Sequence, residues 1–162
     1  MGLRHRHPDS RSVIRYQMRE KLVAIGDDSW IDDENGNHAF KVNGKAARMR
    51  DTFVLEDASG RRVAEIKERA LSVRDKMTIE IDGRKATVKK ALVGIRDRFH
   101  VEVEGQPDMK VHGNVVDHEY HIEQDGRTIA TVSKKWFRVR ETYGIEIDAD
   151  ADIPLVLSVT IA

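Results

Sequence analysis

No cysteine occurs among the 162 residues, which excludes disulfides, thiolate zinc sites and cysteine nucleophiles together and fits a cytoplasmic protein. Net charge is missing as well. The 28 Lys and Arg balance 28 Asp and Glu, so no global field draws the chain to nucleic acid or to an anionic membrane, and any such binding must come from a local patch. No apolar run reaches the roughly 20 residues that span a bilayer. The basic start Met1-Gly2-Leu3-Arg4-His5-Arg6-His7-Pro8 is followed by no apolar stretch and is not a signal peptide. Residues 1–12 read as a loose tail before a single domain over 13–162. There is no Gly-x-Ser-x-Gly elbow, no glycine-rich loop before a helix and no carboxylate pair outside the repeat described next. The chain is therefore expected to be non-enzymatic and to need no cofactor.

What the sequence has is repetition. A large residue recurs at Trp30, Phe53, Met77, Phe99, Tyr120 and Tyr143, each leading an arm that alternates apolar and polar with period two, as in Phe53/Leu55 against Thr52/Glu56. Turns follow at Asn35-Gly36, Ser59-Gly60, Asp82-Gly83 and Asp125-Gly126. Asn-Gly and Asp-Gly suit a β-hairpin because both central residues of its favoured turn need positive φ. A first strand near residues 16–23, five hairpins and a last strand near 142–147 make twelve strands. A twelve-stranded meander escapes its edges by closing into an antiparallel barrel, which is too wide for its own side chains to fill.

The filling is the final run, Ile153 to Ala162, which carries no charge. Asp152 suits an N-cap and Pro154 a first turn, and a helix apolar all round belongs inside a protein. Val156, Val159, Thr160 and Ile161 would equally suit a last strand; length and capping favour a helix near 152–162. Small residues at Ala64, Ala86 and Ala130 leave room for it. The expected fold is mainly β, a twelve-stranded antiparallel closed barrel around a buried C-terminal helix.

Particular stretches point the same way: Tyr16-Gln17-Met18-Arg19-Glu20-Lys21, Ile25-Gly26-Asp27, Val42-Asn43-Gly44-Lys45-Ala46, Arg48-Met49-Arg50-Asp51, residues 113–120, Val132-Ser133-Lys134-Lys135-Trp136-Phe137 and Tyr143-Gly144-Ile145. In order and spacing, over residues 14–162, they resemble the LURP-one-related family of the tubby C-terminal-like superfamily, to which the phospholipid scramblases also belong. The resemblance implies a barrel threaded by its C-terminal helix. Members usually continue that helix a further turn or more beyond the position of Ala162. Many relatives have no known activity, tubby proteins bind phosphoinositide headgroups and scramblases act on lipids with calcium, so function must be sought in this chain's own residues.

Among these, Lys134, Lys135, Trp136, Arg138, Arg140, Lys89 and Lys90 form the candidate site for an anionic headgroup. Lys and Arg at strand ends can gather a cationic patch, and an indole beside two lysines suits a membrane interface. The competing expectation is that each cation pairs with an Asp or Glu beside it in the repeat, giving a merely soluble surface. Asp148-Ala149-Asp150-Ala151-Asp152 alternates like a calcium loop but lacks its sixth-position Gly and twelfth-position Glu, so it reads as a turn capping the helix. His118 and His121 fall on opposite faces of one strand and, with His112, make no recognised ligand set; no metal is expected. The chain is expected to be a cytoplasmic monomer, peripheral at a membrane when it binds lipid, without nucleic-acid partners. A structural or protein-interaction domain with no small ligand is the alternative, and a scramblase-like transporter would need a membrane-spanning segment.

Overall fold

The computed structural model describes residues 12–19, 28–43, 52–68, 76–90, 98–114, 119–134 and 142–161. Twelve strands run β1 (Val13–Arg19), β2 (Ser29–Asp33), β3 (His38–Asn43), β4 (Thr52–Asp57), β5 (Arg62–Glu68), β6 (Lys76–Ile81), β7 (Arg84–Lys90), β8 (Arg98–Val103), β9 (Met109–Asn114), β10 (Glu119–Gln124), β11 (Arg127–Ser133) and β12 (Thr142–Asp148), followed by helix α1 (Ile153–Ile161). Each strand pairs antiparallel with its neighbours in sequence, and β1 pairs with β12, so the meander closes into a barrel with no free edge strand. The first strand begins three residues earlier than the repeat suggested. β12 extends to Asp148, and Val13, Ile14 and Arg15 supply the ladder partners of Asp148, Ile147 and Glu146. The stretch 20–23 and the expected tail, up to residue 11, lie outside the described residues; Ser12 is held where its carbonyl accepts the Ala149 N–H at 2.9 Å.

The period-two pattern sorts side chains as the wall requires. Ile31, Leu55, Ile79, Val101, Ile145 and Ile147 are fully buried in one core. Two-residue turns at Asp82-Gly83 and Asp125-Gly126 take positive φ at both positions, 48° and 73°, then 53° and 71°. The other two expected turns differ: at Asn35-Gly36 and Ser59-Gly60 only the glycine has positive φ. There the loop is longer, and a preceding aspartate organises it. Asp33 Oδ1 accepts the N–H groups of Asn35 and Asn37, and Asp57 Oδ1 those of Ser59 and Arg61. The Asn37 N–H chiefly holds the Asp33 carboxyl below the usual carboxylate range, and the Ser59 hydroxyl chiefly does so for Asp57.

The final apolar run is a helix inside the barrel. Asp152 caps it: its carbonyl accepts Val156 N–H at 2.9 Å and its Oδ1 accepts Leu155 N–H at 3.3 Å. Leu155, Val156 and Leu157 have no exposed surface. The two hydroxyls carried inward stay on the helix itself, Ser158 Oγ donating to the Pro154 carbonyl at 2.7 Å and Thr160 Oγ1 to that of Val156 at 2.9 Å. α1 packs on β5 and β6, and Ala64, Ala86 and Ala130 are all buried at the positions expected to spare it room. Arg84 Nη2 donates to Asp152 Oδ2 at 3.0 Å, tying the β6–β7 turn to the helix cap.

Candidate functional site

Because every strand turns back on itself, the barrel has two distinct ends. The connections that include Asp82-Gly83 and Asp125-Gly126, and the start of α1, share one end; the other six connections share the other. Lys89 and Lys90 finish β7 and Lys134 follows β11, all at the loop end. They do not meet, since β8, β9 and β10 lie between, four strand spacings or about 19 Å around the wall. Lys89 Nζ pairs with Glu102 Oε1 at 2.6 Å, Lys90 Nζ lies 5.9 Å from the Phe99 ring centre and Lys134 Nζ 5.0 Å from that of Tyr143. Lys135, Trp136, Arg138 and Arg140 lie outside the described residues.

The two ends differ in charge. The segments joining strands at the loop end (20–28, 44–51, 69–75, 91–97, 115–118 and 134–141) contain eleven Lys and Arg against eight Asp and Glu; those at the turn end (34–37, 58–61, 82–83, 104–108, 125–126 and 149–152) contain one against seven. Counting charges gives three excess positive at one end and six excess negative at the other. A net charge of zero thus conceals a dipole along the barrel axis, and the positive end of the α1 helix dipole lies at the acidic end.

On the outer wall, ion pairs run between strands more than along the repeat. Arg15 pairs with Glu146 at 2.9 Å, Lys41 with Asp28 and Glu56 at 3.3 Å, and Lys67 with Glu65 and Glu80 at 3.5 Å. Those two carboxylates raise the pKa of Lys41, Asp28 contributing most. The pairing expected beside each cation is therefore largely supplied across strands. The side chains that β8 and β9 set opposite each other are the exception. The strand register sets Arg98 opposite His112 and His100 opposite Lys110, a tile of four cationic or titratable side chains. Lys89 flanks it opposite His100, and His121 flanks it opposite His112. Among the described residues the exposed Arg98 and Lys110 make no ion pair. Sequence reasoning missed Lys110 and the facing of His112 and His121, because cross-strand neighbours emerge only once the β8–β10 register is known. His118 lies outside the described residues.

The Asp148–Asp152 segment behaves as a turn, with Ala151 N–H donating to the Asp148 carbonyl at 2.9 Å and Asp152 engaged by the helix and Arg84. Arg127 Nη2 stands 3.8 Å from the buried Asp148 Oδ2. Two outer clefts, about 690 Å³ beside β1 and β12 and about 450 Å³ between β5 and the β6–β7 turn, include none of Lys89, Lys90 or Lys134. Among the described residues, no helix is long and apolar enough to cross a membrane.

Comparison with known proteins agrees with this fold. The family model described as LURP-one-related matches residues 14–162. The uncharacterized protein YxjI of Bacillus subtilis is 23% identical over 149 residues, covering 92% of this chain and 91% of that protein. An X-ray structure of an Arabidopsis thaliana protein superposes with a TM-score of 0.59 at 16% identity, over 93% of this chain and 89% of the other, a likeness of fold alone.

Proposed function

The chain belongs to the LURP-one-related family, and from that premise we propose that it is a non-enzymatic binding module whose loop end docks on anionic lipid headgroups at a membrane surface. The charge difference between the two ends carries this proposal. In the field of a negative surface the dipole turns the barrel so that the loop end faces the headgroups, and each Lys or Arg brought near contributes about 1 kcal/mol. Lys134 and Lys135 enter the most basic of the six connections, 134–141, and Trp136 supplies an indole suited to the interface. The ammonium groups offer point charges to phosphate or carboxylate and need no enclosed pocket.

Co-sedimentation with phosphatidylcholine vesicles, with and without phosphatidylserine, tests it. The parent should pellet only with the acidic vesicles and be released as salt rises. Lys134→Glu/Lys135→Glu should weaken binding at least about tenfold while melting like the parent. A parent that stays in the supernatant at low salt would overturn lipid docking and favour a protein partner. One observation supports that second reading: Trp30 is 39% exposed on the outer wall, stacked on His38 with ring centres 4.2 Å apart, and exposed aromatic surface is typical of interface centres.

A further inference from the structure

The outer face of β8–β10 holds three histidines within one small area, each about two-fifths exposed and each beside a carboxylate. His100 Nε2 lies 3.1 Å from Asp108, His112 Nε2 3.4 Å from Glu123 and His121 Nε2 3.1 Å from Glu119; the other ring nitrogen of His121 is 3.3 Å from Thr131 Oγ1 on β11. The permanent charges on the same face are Lys89 of β7 with its partner Glu102, and the unpaired Arg98 and Lys110. With neutral imidazoles, three cations face four carboxylates and the area is one charge negative. With all three protonated it is two charges positive. Histidine is the side chain that makes this change between about pH 5 and 8.

Arg98, His112 and His121 form a cross-strand row near the loop end, where Arg98 opens β8 and Glu119 opens β10. The area therefore flanks the end proposed to dock. We infer that His100, His112 and His121 gate docking by pH: this flank repels an anionic bilayer at neutral pH and joins the contact surface on acidification. The inference rests on the lipid-docking proposal above and adds its regulation. A protonated imidazole at any of the three positions neutralises the carboxylate it faces, which would otherwise oppose the membrane.

The test is vesicle co-sedimentation at about pH 5.5 and about pH 7.5 with phosphatidylserine-containing vesicles, using plain phosphatidylcholine vesicles as the control. Three added charges, each worth about fivefold near an anionic surface, predict binding by the parent on the order of a hundredfold tighter at the lower pH. His100→Gln/His112→Gln/His121→Gln should lose that response, and His38→Gln, on the β2–β3 hairpin, should keep it. Glu119→Gln/Glu123→Gln removes two carboxylates without touching a histidine and should bind more tightly than the parent at the higher pH. Equal binding by the parent at both values, or a triple variant that keeps the response, would overturn the gate and leave lipid docking standing. No gain at the higher pH by the double variant would also overturn the gate. No parent binding at either pH would overturn docking itself, and the gate with it.

Discussion

At the turn end of the barrel, Asp33, Asp57 and Asp152 each accept backbone N–H groups. At the loop end, Lys90 and Lys134 lie over the Phe99 and Tyr143 rings, and Arg98 makes no ion pair among the described residues. The difference teaches that charge serves two purposes in one chain. A short carboxylate can close a turn or start a helix because it reaches the donors that the turning backbone leaves unpaired. Long cationic side chains fix no comparable backbone geometry, so the loop end can collect them with little consequence for the fold. The helix that fills the barrel between them begins at the acidic end.

Breaking that helix should have the largest effect. Leu157 has no exposed surface, and Leu157→Asp would place an unpaired carboxylate in the barrel's centre. Thermal unfolding followed by circular dichroism should show no cooperative transition. If this variant melted like the parent, α1 would not be what holds the barrel open.

A smaller change separates the ends. Asp152→Ala removes the α1 cap and the Arg84 partner and should cost about 1–2 kcal/mol in denaturant unfolding. Lys134→Glu at the opposite end should stay within about 0.5 kcal/mol of the parent. Equal losses at both sites would erase the distinction drawn between folding charges and binding charges.

Much of this was legible before any coordinates, for a physical reason. A repeated hairpin repeats its periodicity, so Phe53, Met77, Phe99, Tyr120 and Tyr143 all fall at the second residue of a strand and pack against the core. Trp30 also falls second, in β2, yet points outward, because Ile31 takes the inward position opposite Phe40. The equal spacing could not reveal that slip. The cap at Asp152 and the buried alanines were equally readable, being local or set by alternation. The outer-face tile was not. The turn at 104–108 contains neither Asn-Gly nor Asp-Gly, so no turn signal sets how β8 and β9 align, and without that alignment Arg98, His100, Lys110 and His112 remain four separated residues. The charge difference between the ends needs only the strand order, and could have been summed once the barrel was inferred.

The smallest predicted effect concerns acid at the turn end. Asp57 titrates below the usual carboxylate range because the folded hairpin surrounds it with the Ser59 hydroxyl and the N–H groups of Ser59 and Arg61. A carboxyl whose folded pKa is depressed contributes stability that is fully present above its unfolded pKa, about 3.9, and is lost as pH falls through the folded value. Asp57→Asn keeps an oxygen able to accept the same N–H groups but has no charge to lose. Its melting temperature should lie slightly below the parent's at neutral pH, and the two should converge as the solution is taken below about pH 4. This convergence runs opposite to the histidine face, whose charge appears on acidification and adds binding; acid weakens the folding charges of one end while strengthening the binding charges beside the other. A difference between Asp57→Asn and the parent that does not shrink on acidification would mean that the carboxylate's charge has no part in closing the turn.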